Sequence, residues 1–347
     1  MNIAILGSTG SIGNSTLEVI RQNKKDFSIN LLTAKSNHKL LIEQCKEFNP
    51  EFVYLEDEQA RKVLEDNVSD RKLRTCVIKS TKEFEEVIGS NETDVVVAGM
   101  VGIAGLIPVH FAIQKGKKVL LANKESYVVA GEYLNNLCKE TGACIFPIDS
   151  EHSAIHQCLN NEENKSGVSR IILTGSGGPF LNKDINDFGS ITPEEAINHP
   201  VWSMGRKISV DSSTLMNKGL EIIEARWLFN CENIEVLIHP EGIIHSLVEF
   251  KDNSVLAQLS SPDMKIPIAY GLGYPKRINS GSEQLNLKEI KSLNFMEPDL
   301  KKFPCLKLAM DLLPIGGNSF SILNASNEEC VDAFLEGRIS YKQIYEI

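Results

Sequence analysis

Residues 2–20 read NIAILGSTGSIGNSTLEVI, and this stretch decides the fold class. A short apolar run at residues 3–6 ends at a glycine, and the residues beyond the glycines have helical spacing. Gly7, Gly10 and Gly13 follow the pattern G-x-x-G-x-x-G, a relative of the dinucleotide-binding fingerprint. Glycines permit a tight turn and a close approach of the backbone to a pyrophosphate, which helix N-terminal amides then bind. The pattern predicts a dinucleotide site; the alternative is a glycine turn with a structural role only.

The alternation of strand and helix patterns continues to about residue 148. Apolar runs predict strands at residues 3–6, 28–34, 52–55, 94–98, 118–122 and 144–148. Helical patterns occupy residues 38–48, 84–88 and 106–115. Ser80 and Glu83 form a capping-box signature, and Gly116 is suited to end a helix. Continuous Val/Ile/Leu strands between helices predict an α/β domain with a Rossmann-like, doubly wound parallel sheet.

The end of the second predicted strand bears on the choice of cofactor. NAD sites usually place Asp or Glu there, roughly 20 residues past the glycines, to bind the ribose 2′-hydroxyl. This chain instead has Lys35, Ser36 and Asn37 after Ala34. One cation and two polar side chains favour the 2′-phosphate of NADP, although Lys35 as a solvated surface residue is the alternative.

The pattern changes near Asp149, where polar loops and isolated strands begin. A strong helical pattern at residues 217–229 lies among them and indicates a second, α+β domain. Residues 274–303 are rich in Pro, Gly, Asn and Ser without periodicity and predict a linker. We therefore predict a nucleotide-binding domain at residues 1–149, a catalytic domain at 150–273, that linker, and a helical segment at 304–347.

A carboxylate pair follows the last strand of the predicted sheet, in Asp149-Ser150-Glu151-His152. In an extended segment the side chains of Asp149 and Glu151 point to the same side, where they repel each other unless a cation lies between them. Glu221, on the main helix of the second domain, is the candidate third ligand. Oxygen ligands suit Mg²⁺ or Mn²⁺ and not zinc. A solvated loop is the alternative interpretation.

Polar side chains suited to phosphate cluster in the second domain. Ser176 lies in the glycine-rich segment LTGSGGPF, and Ser212, Asn217 and Lys218 lie just before or within the first turn of the main helix. Hydroxyls, an amide, a lysine and a helix N-terminus predict a phosphate site unlike a P-loop. Each serine taken alone is more often a cap or turn residue.

The segment HPVWSMG, residues 199–205, has neither helical nor strand periodicity. Trp202 and Met204 flanked by Pro and Gly are typical of a mobile hydrophobic lid that excludes water from a hydride transfer. The alternative is a loop tryptophan packed on its own domain.

Composition excludes several classes of protein. Apolar residues make up 42% and charged residues 24%, as in globular proteins, and the net charge of −10 argues against nucleic acid or membrane as the main partner. The most apolar stretch, residues 94–109, is interrupted by glycines and too short to span a bilayer. The eight cysteines are dispersed without C-x-x-C, so we expect reduced thiols, no zinc ribbon and a cytoplasmic location.

Six motifs together resemble one family, the 1-deoxy-D-xylulose 5-phosphate reductoisomerases, from Asn2 to about Phe334. They are GSTGSIG, LLANKES, DSEH, LTGSGGPF, HPVWSMGRKISVDSSTLMNKGLEIIEARWLF and PDMKIPIAY. The resemblance implies a homodimeric enzyme that rearranges a phosphorylated 2-keto sugar. NADPH then reduces the resulting aldehyde to 2-C-methyl-D-erythritol 4-phosphate, in the non-mevalonate isoprenoid pathway. The implied cofactors are NADPH and Mg²⁺, Mn²⁺ or Co²⁺.

The resemblance also implies roles for individual residues. The implied NADPH contacts are Thr9, Gly10, Ser11, Ile12, Lys35, Ser36, Asn37, Asn123, Glu125 and Gly205. The implied metal ligands are Asp149, Glu151 and Glu221. The implied substrate-binding residues are Lys124, Ser150, Glu151, Ser176, His199, Ser212, Asn217, Lys218 and Glu221. The residues expected closest to the chemistry are Lys124, Glu151, His199, Trp202 and Met204, and either Lys124 or Glu151 is expected to handle protons.

Three positions depart from the family pattern. The family often has Gly where Lys35 stands, and usually Gln where Glu241 stands. Related chains usually continue for several tens of residues beyond the position of Ile347, so we expect a short C-terminal helical segment. Two other functions stay open from the sequence: another NADP-dependent dehydrogenase of semialdehyde type, which needs an activated cysteine, and a non-catalytic NADP-binding regulator.

Overall fold

The computed structural model describes residues 1–70, 74–159, 166–202 and 204–347. Its contacts group the chain into two compact units. The first unit comprises residues 1–126, 132–149 and 264–282, and the second comprises residues 127–131, 150–263 and 283–347. Ser203, within the predicted lid, lies outside the described residues.

The first unit is built on a seven-stranded sheet in the order β4-β3-β2-β1-β5-β6-β7, with every neighbouring pair parallel. The strands are β1 (Asn2–Leu6), β2 (Ser28–Ala34), β3 (Phe52–Leu55), β4 (Cys76–Ile78), β5 (Val95–Ala98), β6 (Lys118–Leu121) and β7 (Cys144–Pro147). The order turns at β1, which lies between β2 and β5. Ligands of such sheets bind outside the carboxyl ends of the strands at this turning point.

Helices follow the strands of this sheet. They are α1 (Ser11–Gln22), α2 (His38–Phe48), α3 (Glu58–Asp70), α4 (Thr81–Gly89), α5 (Leu106–Gln114) and α6 (Lys124–Thr141). Helix α6 is interrupted at Ala130, whose backbone is not helical. Leu6, Leu32 and Val97 are fully buried, as are most residues of the central strands. Burial on both faces explains why these strands read as continuous apolar runs.

The predicted Rossmann-like sheet is confirmed, and the predicted strands agree with the observed ones to within one residue at each end. Sequence analysis missed β4, α3 and the long helix α6. Strand β4 has only three residues at the sheet edge, and α3 reads EQARKVLEDNVSD, a pattern too polar to stand out. The Ser80 side chain caps α4 by accepting from the Glu83 N–H, as predicted. The Glu83 carboxylate accepts from the Lys79 N–H at 3.0 Å, one residue before the position expected for a capping box.

The second unit contains a four-stranded mixed sheet in the order β11-β10-β8-β9. Its strands are β8 (Val168–Gly175), β9 (Ile234–Ile238), β10 (Ile244–Phe250) and β11 (Val255–Leu259). Strands β8 and β9 are parallel and the other pairs antiparallel, in agreement with the predicted α+β domain. The bridge between Ile238 and Met296 adds a short extension beside β9.

Helices pack around this mixed sheet and at the C-terminal end of the chain. They are α7 (Ser150–Leu159), α8 (Pro193–Ala196), α9 (Arg206–Ser213), α10 (Met216–Phe229), α12 (Pro304–Leu312), α13 (Ser319–Leu335) and α14 (Gln343–Glu346). Leu220, Leu306 and Phe334 share one core, so the predicted C-terminal helical segment belongs to the second unit. Helix α10 confirms the predicted main helix and begins one residue earlier than expected.

Two sequence expectations differ from this arrangement. The DSEH segment is not extended: α7 begins at Ser150, so Asp149 and Glu151 do not alternate along a strand, and that prediction was wrong. The helix α11 (Lys265–Gly273), which we placed in the catalytic domain, packs in the first unit against α1. The predicted linker is divided, with residues up to 282 in the first unit and later ones in the second. The domain boundaries themselves stay a prediction.

No helix among the described residues is long and apolar enough to cross a membrane. All eight cysteines are free, in agreement with the expectation of reduced thiols.

Candidate active site

The glycine turn lies at the carboxyl end of β1. Its shape is possible only because glycine has no side chain. Gly7 has a φ of +80°, which L side chains rarely adopt, and its N–H donates to Thr33 Oγ1 at 3.0 Å. A Cβ on Gly13 would lie 2.3 Å from Ser8 Cα, so α1 packs directly on the turn. Gly10 and Ser11 are exposed at the start of α1. Backbone amides that no helical carbonyl satisfies therefore face solvent here, as an anion site requires.

The end of β2 lies beside this turn in the sheet. Lys35, Ser36 and Asn37 are all exposed, and none of these three residues is acidic. Asn37 also caps α2, since its side chain accepts from the Leu40 N–H at 3.2 Å. The exposed cation suits a 2′-phosphate better than a ribose hydroxyl.

The ends of β6 and β7 bring together a lysine and a carboxylate. Lys124 Nζ lies 2.7 Å from Asp149 Oδ2, and both side chains are largely buried. β6 and β7 are neighbours, so residues just past their carboxyl ends converge although 25 positions separate them in the sequence.

In the second unit a second lysine lies between two carboxylates. Lys218 Nζ donates to Glu151 Oε1 at 2.9 Å and also to Glu221 Oε2. One oxygen of Glu151 and one of Glu221 lie within 4.8 Å of each other. Burial alone would lower the pKa of Lys218, but the charges of Glu151 and Glu221 outweigh it and raise that pKa. Lys218 is therefore a buried ammonium group between the side chains of Glu151 and Glu221.

Neighbouring polar groups complete this cluster. Asn217 Nδ2 donates to Glu221 Oε1 at 2.6 Å, and Ser150 Oγ donates to Glu151 Oε2 at 2.6 Å. Asn217 and Lys218 lie four and three residues before Glu221, so both side chains reach it from the preceding turn of α10. Carboxylate oxygens are the ligands that Mg²⁺ and Mn²⁺ prefer, so the donor set fits a hard divalent cation. Asp149, in the first unit, precedes α7 directly in the chain.

The loop after β8 lies close to the end of α9 and to the first turn of α10. A Cβ on Gly178 would lie 2.7 Å from the Ser212 carbonyl oxygen, and one on Gly175 would lie 3.0 Å from Lys218 Cε. The glycines thus let the Ser176 loop approach Ser212 and Lys218. The structure brings together the segments that carry the residues predicted to bind phosphate, and Asn217 and Lys218 contact carboxylates here.

His199 contacts the same loop as a neutral donor. Its Nδ1 accepts from the backbone N–H groups of Val201 and Trp202, at 3.1 and 2.8 Å. The proton therefore lies on Nε2, which is 3.1 Å from Ser176 Oγ. Burial lowers the pKa of His199 to about 4, in agreement with a neutral ring.

The segment expected to form a lid has no regular secondary structure in its described residues. Trp202 and Met204 are half-buried, and Gly205 is exposed where α9 begins. The Trp202 ring lies 6.1 Å from the ring of His245, centroid to centroid. That it moves as a lid stays a prediction.

Sequence reasoning missed three buried histidines near these groups. His152 Nδ1 lies 3.1 Å from Glu224 Oε2, and its Nε2 lies 3.0 Å from the Glu221 carbonyl oxygen. His245 Nε2 lies 2.9 Å from Ser260 Oγ, and burial lowers the His245 pKa to about 4. The signals were available: His152 follows Glu151, and Glu224 lies one helical turn beyond Glu221.

The third missed histidine explains the environment of Glu241. His239 Nδ1 lies 2.8 Å from the Asn294 carbonyl oxygen and 3.1 Å from Glu241 Oε2. The Glu241 carboxylate also accepts from the Asn294 amide, and these interactions lower the Glu241 pKa against the effect of its partial burial. Glu241 therefore stabilises the segment beside β9 and has no contact with Glu151 or Glu221 in the described structure.

Three buried cysteines do not resemble activated nucleophiles. Burial raises the pKa of Cys45 and Cys305 to about 12 and that of Cys158 to about 11. A nucleophilic thiol needs the opposite shift. The dehydrogenase of semialdehyde type therefore has no support in these residues.

Comparisons with known proteins agree with this geometry. Three family models match: 1-deoxy-D-xylulose 5-phosphate reductoisomerase at residues 3–131, and two C-terminal domain models of that enzyme at residues 145–229 and 259–347. Reductoisomerases from Tolumonas auensis and Clostridium perfringens (strain 13) are 46% and 50% identical to this chain. Each alignment covers 99% of this chain, and 89% and 90% of those proteins.

Solved structures give the same result. A crystal structure of DOX-P reductoisomerase with NADPH, fosmidomycin and magnesium is similar to this chain with a TM-score of 0.95 at 45% identity. That alignment covers 99% of this chain and 87% of the other. The enzyme from Zymomonas mobilis in complex with NADPH has a TM-score of 0.91 at 39% identity, over 99% and 89% of the two chains. The chain belongs to the 1-deoxy-D-xylulose 5-phosphate reductoisomerase family.

Proposed function

We propose that this chain catalyses the metal-dependent rearrangement of 1-deoxy-D-xylulose 5-phosphate and the reduction of the rearranged aldehyde by NADPH. The product is 2-C-methyl-D-erythritol 4-phosphate, an intermediate of the non-mevalonate isoprenoid pathway. The observation that carries the proposal is the convergence of Glu151, Lys218 and Glu221 in a chain 46–50% identical to named reductoisomerases over 99% of its length.

Glu151 and Glu221 would hold the divalent cation, with Asp149 as the third ligand. Their oxygens fit Mg²⁺, Mn²⁺ or Co²⁺, and the crystal structure with magnesium belongs to a relative 45% identical to this chain. A cation bound there polarises the ketone carbonyl and stabilises the negative charge that develops on oxygen during the rearrangement.

Lys218 would change partners when the site is loaded. In this structure its ammonium neutralises the two carboxylates. Glu151 and Glu221 would release the ammonium when they hold the cation. The absence of a side chain on Gly175, whose Cβ would lie 3.0 Å from Lys218 Cε, keeps the lysine side chain close to the Ser176 loop. Together with Asn217, Ser176 and Ser212, the lysine would bind the substrate phosphate, whose binding energy orients the reacting end of the sugar.

His199, Ser150 and Lys124 would bind the oxygens at the reacting end. His199 is neutral and offers Nε2–H, so it donates a hydrogen bond and does not protonate the substrate at neutral pH. Lys124, as an ammonium beside Asp149, can donate a proton to a developing alkoxide, and Glu151 is the other candidate for proton transfer. Trp202 and Met204 would cover the sugar and exclude water during hydride transfer.

The first unit would bind NADPH along the carboxyl edge of its sheet. Thr9, Gly10, Ser11 and Ile12 present the amides of the turn to the pyrophosphate, and Lys35, Ser36 and Asn37 surround the 2′-phosphate. Glu125 and Gly205 would contact the same cofactor, and Asn123 would belong to its site.

A homodimer in the cytoplasm is part of the proposal. Strand β11 is the edge of the second unit's sheet, and its Val255, Leu256 and Leu259 are exposed. An exposed apolar edge strand suits an interface between two copies of the chain. Light scattering after size exclusion measures the mass and checks this part separately.

The experiment that tests the reaction follows the absorbance of NADPH with 1-deoxy-D-xylulose 5-phosphate present. We expect oxidation of NADPH with Mg²⁺ and none after EDTA, with recovery when Mg²⁺ is restored. NADPH binding without oxidation under all of these conditions would contradict the reaction and favour a non-catalytic NADP-binding protein.

A further inference from the structure

The loop at residues 99–105 forms a wall beside the glycine turn. Strands β1 and β5 are neighbours at the point where the strand order turns, and this loop follows β5. A Cβ on Gly7 would lie 3.1 Å from the Gly99 oxygen, and one on Gly99 would lie 3.0 Å from Ile12 Cγ2. The loop and the glycine turn therefore pack against each other where ligands of such sheets bind.

The loop exposes two large apolar side chains at this place. Val101 is 49% exposed and Ile103 is 41% exposed. Gly102 between them has a φ of +73°, and residues 103–105 form a 3-10 turn. Short loops of this kind keep their shape only when neighbouring groups satisfy their backbone carbonyls.

Asn123 supplies that support from the end of β6. Its Nδ2 donates to the carbonyl oxygens of Met100 and Gly102, at 3.0 and 2.8 Å, and also lies 3.1 Å from its acceptor Glu125 Oε2. Its Oδ1 accepts from Ser126 Oγ. The side chain is only 1% exposed. Gly105 packs on the amide so closely that a Cβ there would lie 2.4 Å from Asn123 Oδ1.

We propose that Asn123 is a positioning residue that serves NADPH through the loop 99–105, which forms the second wall of the cofactor crevice and offers Val101 and Ile103 as its apolar cover. Its amide is saturated by the protein and buried, so a direct contact with NADPH would require breaking bonds that shape the loop. The inference rests on the proposed function, because it assigns a role within that cofactor site.

Two variants test the contact from both sides, with NADPH binding and steady-state kinetics as the measurements. Asn123→Ala removes the amide that donates to the Met100 and Gly102 carbonyls and to Glu125. Gly105→Ala keeps that amide but pushes the loop away from it. We expect each to raise the Kd and KM for NADPH about tenfold while KM for the sugar phosphate changes less than about twofold. In the Asn123→Ala variant the amide that would clash with a Cβ at position 105 is absent. Adding Gly105→Ala to that variant should therefore raise the Kd for NADPH by less than about twofold.

Asn30→Ala is the matched control. Asn30 is a buried amide of the same unit, and its Nδ2 donates to Thr93 Oγ1 at the opposite edge of the sheet. We expect it to lower the melting temperature as Asn123→Ala does, but to leave NADPH affinity unchanged.

Three results would overturn the inference. They are wild-type NADPH affinity in Asn123→Ala and Gly105→Ala, independent effects of the two changes in the double variant, and equal loss of NADPH affinity in Asn30→Ala. Failure of the wild-type chain to bind NADPH would overturn the proposed function as well. If the wild-type chain binds NADPH, any of the three results overturns only the role of Asn123.

Discussion

The two units present their candidate ligands in opposite ways. In the first unit the glycine turn after β1 offers exposed backbone amides, and its shape depends on the absence of side chains at Gly7 and Gly13. In the second unit, Glu151, Lys218 and Glu221 form a buried cluster of charges. The first arrangement is a local conformation, whereas the second exists only because distant helices pack together. Changes in the second unit should therefore alter the chemistry, and changes in the first should alter cofactor affinity.

The largest effect should come from Glu151→Gln, which removes one charge from the carboxylate pair. We expect kcat to fall about 1,000-fold or more, because the change removes a ligand from the proposed metal site and leaves Lys218 with one fewer partner. The Kd for NADPH should stay within about twofold of wild type. Glu235→Gln, an exposed glutamate of the second unit paired with Arg170, is the matched control and should keep full activity. Full turnover in Glu151→Gln would remove this glutamate from the metal site.

The next effect should come from Gly13→Ala, which probes the first unit. The added Cβ would lie 2.3 Å from Ser8 Cα, which is backbone and cannot move aside cheaply. We expect the turn to open and the Kd for NADPH, measured by fluorescence titration, to rise about 100-fold. Gly189→Ala, where a Cβ meets nothing within 4 Å, should bind NADPH normally. Equal NADPH affinity in the two variants would show that cofactor affinity does not depend on the glycine turn of the first unit.

A smaller effect concerns the buried histidines of the second unit. Burial lowers the pKa of His199 and of His245 to about 4, below the ordinary value of 6.5. The unfolded chain therefore binds more protons between pH 4 and 6.5, so stability is complete above 6.5 and falls as the pH decreases. The buried His245 should contribute a loss of up to about 1.4 kcal/mol for each pH unit in that window. His199 is only half-buried, so solvent screening should make its contribution smaller.

Urea denaturation at pH 7.5 and pH 5.5 measures this dependence. His245→Asn should reduce the loss of unfolding free energy at the lower pH, because asparagine does not titrate there. His38→Gln, in the first unit, is the control for the loss of one histidine. An unchanged pH dependence in His245→Asn would show that the buried ring of His245 is not responsible.

The smallest effect should come from Lys35→Ala at the end of β2. Lys35 is exposed and its charge is screened by solvent, so we expect the KM for NADPH to rise only about threefold, with no change for NADH. Lys39→Ala, another exposed lysine on the following helix, should leave both values unchanged. An equal change for NADPH and NADH would show that Lys35 does not recognise the 2′-phosphate.

The sequence by itself determined the parallel sheet, the glycine turn and the family. A strand, a turn and a helix are encoded by neighbouring residues, and the Val/Ile/Leu runs are continuous because both faces of the sheet are buried. The motif that includes Asn217, Lys218 and Glu221 is contiguous on one helix, so its chemistry was also predictable.

Only the tertiary structure decided which of those groups touch. Asp149 and Glu151 were predicted to lie in one extended segment, but α7 begins at Ser150. Glu151 therefore lies on α7 and accepts a hydrogen bond from Lys218 on α10. Burial decided that His199 is neutral, and packing decided that Asn123 supports a loop. Contacts between residues far apart in the chain depend on how helices and strands pack. The pKa of a side chain depends on its burial. Neither can be predicted from a local pattern of residue types.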